Sequence, residues 1–167
     1  MCRMSFAEEV TKLGIMVRHD ALEKNPAWTV PIERAGSASV LVADQFRELN
    51  VRELLDRSPI RTDGTQDVVV LVQAILSVIE RDGLVPATAY ESGALLLSRR
   101  IKEADLILSE KTISDIIVVS QEIRSGDGEI WFPLFLDRGA VELVLLPGSA
   151  IPPPYWGVRT SIFALPR

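Results

Sequence analysis

One histidine and one cysteine in 167 residues leave little room for metal or nucleophile chemistry. Cys2 has no second thiol to pair with, so an internal disulfide is excluded and a reducing compartment is implied. A zinc site built from Cys and His lacks its ligands, and His19 has no second histidine to work with. The sequence has no GxxxxGK[ST] loop, no GxGxxG after a strand and no GxSxG elbow. Those gaps remove the phosphate-binding loop, the dinucleotide fingerprint and the serine-hydrolase nucleophile. Cys2 lies at the terminus, where a nucleophile is poorly oriented. No cofactor or metal is therefore expected.

Basic charge is also short. Eighteen Lys and Arg face 23 Asp and Glu, for a net charge of −5. A protein that grips phosphate backbones usually carries a basic face, so this balance argues against nucleic acid as the main partner. Arg3 is not followed by an apolar stretch, so no secretory signal is expected. The longest apolar run is broken by Gln73 and is too short to span a bilayer. A soluble, cytoplasmic protein with no membrane partner is the expectation.

What the chain has in quantity is apolar residues, at 47%, with 25% charged. A chain of this length and composition buries a core without staples and reads as one domain, residues 1–167. The slightly positive mean hydropathy points to surface covered by a second copy or another protein.

The most apolar stretch is Asp67 to Glu80. Val68, Leu71, Val72, Ile75, Leu76 and Ile79 recur at helical spacing, with Gln73, Ser77 and Glu80 opposite. Asp or Thr precedes the run, Arg81 sits in its last turn and Gly83 offers a left-handed stop, which together predict a central helix. Ser5 to Val17 reads as an amphipathic helix, with Ser5 and Glu8 at capping-box spacing. Trp28 to Ala43 reads as a β-hairpin turning at Arg34–Ser37. Pro31 in its first run marks an edge strand or a bulge.

Gln45 to Arg57 reads as helix in two pieces, the second opening at Asn50 with Glu53. Pro86 to Leu108 is the longest predicted helix. Tyr90, Ala94, Leu97, Ile101, Ala104 and Leu108 form a seam suited to the central helix, in an antiparallel hairpin. Leu95 and Leu96 lie off that seam and need a sheet or a second protein. Thr112 to Arg124 reads as helix from its caps, with a buried strand as the alternative from Ile116–Val119. It also echoes Asp67–Ile75, a hint of internal duplication. Glu129–Leu136, Ala140–Leu146 and Val158–Leu165 read as strands, the first two joined by a tight turn at Asp137–Gly139.

The predicted architecture is a single α+β domain. Its mostly antiparallel sheet comes from the N-terminal hairpin and the C-terminal strands. A central helical hairpin is expected to cover one face.

Carboxylates are the remaining catalytic currency. Asp63, Asp67, Asp82, Asp127 and Asp137 cluster at predicted turns, where an acidic pair would hold Mg²⁺ or do acid–base work. Turns and caps select Asp in any case. Arg99, Arg100 and Lys102 sit together on the long helix, among acidic neighbours. Between two predicted strands lies Ile151-Pro152-Pro153-Pro154-Tyr155-Trp156-Gly157, a stiff extended connector. Its Pro152-Pro153-Pro154-Tyr155 resembles the short P-P-x-Y ligand of WW domains, which implies a protein partner. Exposed aromatics beside it would mark an interface.

The leading expectation is a non-enzymatic interaction or assembly protein. It would form a homo-oligomer or bind a protein partner through Trp131, Phe135, Pro152, Pro153, Pro154, Tyr155 and Trp156. A small metal-assisted hydrolase using turn aspartates is the alternative. A regulatory nucleic-acid binder acting through Arg99 and Arg100 comes third.

Overall fold

A computed structural model describes residues 4–30, 46–60, 67–105, 115–124, 126–138, 140–148 and 160–167, with backbone alone for 98–105 and 138. The fold is α+β, as expected, with a mixed, predominantly antiparallel sheet. Five strand pairings are antiparallel and two are parallel.

The first helix, α1 (Phe6–Lys12), starts on the predicted capping box: Ser5 Oγ accepts from the Glu8 amide, and Glu8 returns a bond to the Ser5 amide. It is shorter than expected. Gly14, at φ +89°, turns the chain, and Met16–Val17 becomes strand β1. Helix α2 (His19–Lys24) and a 3-10 turn (Pro26–Thr29) follow. Trp28 lies in that turn and not in a strand; its ring packs 4.9 Å from Phe6. The rest of the expected N-terminal hairpin, 31–45, lies outside the described residues.

Arg47–Asn50 is strand β2, where helix was expected. It pairs antiparallel with the last strand and sets Leu49 against Ile162. Asn50 then caps α3 (Val51–Arg57) as predicted, accepting from the Glu53 amide. The central helix, α4 (Val68–Arg81), also stands as predicted. Asp67 caps it through the Val69 amide, and Gly83 stops it at φ +74°.

Leu84–Pro86 is strand β3, so Pro86 does not open the next helix. That helix, α5 (Ala89–Asp105), opens on a reciprocal Thr88–Glu91 cap instead. Asp115–Ile117 is strand β4, which resolves that segment in favour of the β-branched run and against the caps. The echoed segments adopt helix in one case and strand in the other, so they are not a structural repeat. Strands β5 (Ile123–Arg124), β6 (Ile130–Arg138), β7 (Ala140–Pro147) and β8 (Thr160–Pro166) complete the sheet.

The strand order is β1-β7-β6-β4-β8-β2, with β3 beside β8 and β5 beside β6. Successive side chains on these strands go to opposite faces. Ile117, Val119, Phe132, Leu134, Val144, Ile162 and Ala164 pack with α3 and α4. Ile116, Val118, Phe135, Val141, Leu143 and Phe163 pack with α1 and α5. The sheet is thus buried on both faces, and the expected helical hairpin on one face is corrected. The reason is β3. After α4 the chain enters the sheet layer, pairs with Ala164–Pro166, and leaves on the far side as α5. Leu95 and Leu96, off the predicted seam, are fully buried against the sheet.

Pro133 sets the length of β4. It accepts from the Val118 amide at 2.9 Å but has no N–H to return, and regular pairing stops one residue earlier, at Ile117–Leu134. The chain then bends and pairs again only at Ile123–Trp131. Among the described residues, no helix is long and apolar enough to cross a membrane.

Candidate interaction surface

The β6–β7 hairpin is closed between Arg138 and Ala140 and open at the other end, where Trp131 pairs with Pro147. Ile123 of β5 pairs with Trp131 from the opposite side. Residues paired across strands share a face, so Ile123, Trp131 and Pro147 form a row. Lys24, the last residue of α2, reaches over this row and sets Nζ 4.9 Å from the Trp131 ring centroid. Such a contact stabilises by about 0.5–1 kcal/mol at an exposed site.

Trp131 is half-buried, and its indole Nε1 is shielded from solvent with no acceptor among the described residues. Among the described residues it is the only buried side-chain nitrogen or oxygen in that condition. A buried donor without an acceptor costs roughly 1–3 kcal/mol.

The same end of the molecule continues onto the other face of the sheet. Gly148 follows β7 and is buried; a Cβ there would lie 3.1 Å from the Ile130 carbonyl oxygen and 3.2 Å from Val68 Cγ1. The start of α4 is thereby seated on the hairpin's open end. Val69, one residue on, is 45% exposed. Ile130, Val68 and Val72 beside it are half-buried. Around this apolar rim stand charged side chains. Glu122 binds Arg124 through Oε1 alone, at 3.1 and 3.2 Å. Lys24 has no carboxylate partner among the described residues.

Of the residues expected to meet a partner, Trp131 stands at the open end of the hairpin, between Ile123 and Pro147. Phe135 does not reach it. Phe135 is fully buried under α5, where Gly93 allows the close approach. Pro152, Pro153, Pro154, Tyr155 and Trp156 lie outside the described residues. Lys24, Ile123 and Val69 were not singled out by sequence. Nothing local marks them; the strand register brings 123 and 131 together, and the end of α2 sets Lys24 over that pair.

The turn aspartates have structural duties. Asp67 caps α4, Asp82 holds Arg57 through both carboxylate oxygens at 2.9 and 3.1 Å, and Asp127 accepts from the Glu129 amide. Asp63 lies outside the described residues. Among those described, no group of three or more His, Cys, Asp and Glu side chains is placed to hold a metal ion. His19 is exposed and contacts Glu23 at 3.1 Å within α2. The side chains of Arg99, Arg100 and Lys102 are outside the described set. The chain matches no protein-family model, no curated protein and no solved structure.

Proposed function

We propose that this protein is a non-enzymatic assembly protein that acts by self-association through the open end of the β6–β7 hairpin. The observation that carries this reading is the half-buried Trp131 ring at the open end of the hairpin, in a row with Ile123 and Pro147 and capped by the Lys24 ammonium. A half-buried tryptophan bordered by aliphatic groups and a cation has the makeup of an interface anchor.

Light scattering at two protein concentrations tests the reading. The mass is expected to exceed the monomer's and to rise with concentration. Trp131→Thr removes the ring and keeps a strand-forming residue. This variant is expected to keep its far-ultraviolet circular dichroism and to shift toward monomer. A wild-type chain that stays monomeric at both concentrations overturns the proposal.

A further inference from the structure

We infer that Lys24 is a removable cover on Trp131, an autoinhibitory contact that holds self-association in check. This rests on the self-association reading above and adds its regulation. Lys24 closes the six-residue helix α2, which is fixed to the hairpin from its other end. There the Arg18 amide donates to the Leu143 carbonyl at 3.1 Å, Arg18 Nε meets Glu142 at 3.2 Å, and Ala21 is buried. The base of the Lys24 side chain is therefore held in place, while the residue itself is exposed and its long stem can turn. Its Nζ stands 4.9 Å from the Trp131 ring centroid, and that is its one contact among the described residues.

Two effects compete when a second copy approaches the ring. Leaving the ammonium where it is buries a charge that no described carboxylate pairs, which is among the most unfavourable things an interface can do. Turning it aside gives up a single cation–π contact at an exposed site and returns the ammonium to water. The second cost is far the smaller, so a copy docks on the ring with Lys24 turned away. The closed contact then competes with association at every ring. A contact of this strength shifts such an equilibrium about two- to fivefold.

Sedimentation equilibrium of wild type, Lys24→Ala and Lys24→Arg reads the effect on association. Hydroxyl-radical footprinting of the same chains, with oxidation of Trp131 read by peptide mass spectrometry, reports the cover itself at a concentration too low for association. Lys24→Ala is expected to tighten association about two- to fivefold for each ring uncovered and to raise oxidation of Trp131, with circular dichroism unchanged. Lys24→Arg keeps a cation over the ring and is expected to match wild type in both measurements. Association that is unchanged or weaker in Lys24→Ala overturns the inference, and so does unchanged oxidation of Trp131. If the wild-type mass still rises with concentration in those cases, self-association stands and only the cover falls. A wild type that stays monomeric overturns both.

Discussion

At Gly93, α5 packs tightly on Ile15 and Phe135, and the absence of a side chain there has a measurable worth. A Cβ at this position would sit 3.0 Å from Ile15 Cδ1 and 3.3 Å from two atoms of the Phe135 ring. Both neighbours are fully buried and have nowhere to move. Gly93→Ala gains helix propensity, close to 1 kcal/mol, but overpacks the core at a cost of about 1–3 kcal/mol. The expected net result is a lower urea midpoint with an unchanged slope. A rise in midpoint would show that α5 stands off the sheet. Asn50 makes a second test at this scale. Its side chain takes the Glu53 amide at the start of α3, and Asn50→Ala is expected to lose about 1 kcal/mol in the same titration.

Among the elements, the three-residue strand β3 decides the layering. By entering the sheet between α4 and α5 it sends the two helices to opposite faces, and each face acquires its own cluster. Adjacent residues on β4 then report on different layers. Ile116→Ala and Ile117→Ala are each expected to destabilise by about 2–5 kcal/mol, because both side chains are fully buried. A sheet covered on one face would tolerate one of the two changes, and equilibrium unfolding of the pair distinguishes the cases. Much of the element inventory was legible from local chemistry: the Ser5 box, the Asn50 and Asp67 caps, the Gly83 stop and the strand runs over 130–138 and 140–147 are short-range signals. The layering was not. Leu84–Pro86 is too short to show a period and reads as a turn between two helices. Arg47–Asn50 is charged and contains good helix formers, yet it forms a strand because β8 supplies the ladder. The seam from Tyr90 has helical spacing, but spacing alone cannot name the surface a face meets. Leu95 and Leu96 were the better guide, since they required an apolar layer that the seam did not provide.

On the scale of the whole molecule, the two sheet faces are packed by helices, and the open end of the β6–β7 hairpin is the contact surface proposed above. Trp131, foreseen as a partner residue, sits there; Phe135, foreseen with it, belongs to the core instead. That split follows from depth along one strand face. Four residues separate them, enough to move from under α5 to the strand's end, and no sequence period records where a covering helix stops. Hydrogen exchange followed at low and high protein concentration tests self-association at this end most directly. At the concentration where the mass rises, amides of Ile130–Phe132 and Val68–Leu71 are expected to exchange more slowly, while those of α3 are unchanged. Exchange that is the same at both concentrations throughout these segments, in a sample whose mass has risen, would contradict the assignment of the interface to the hairpin's open end.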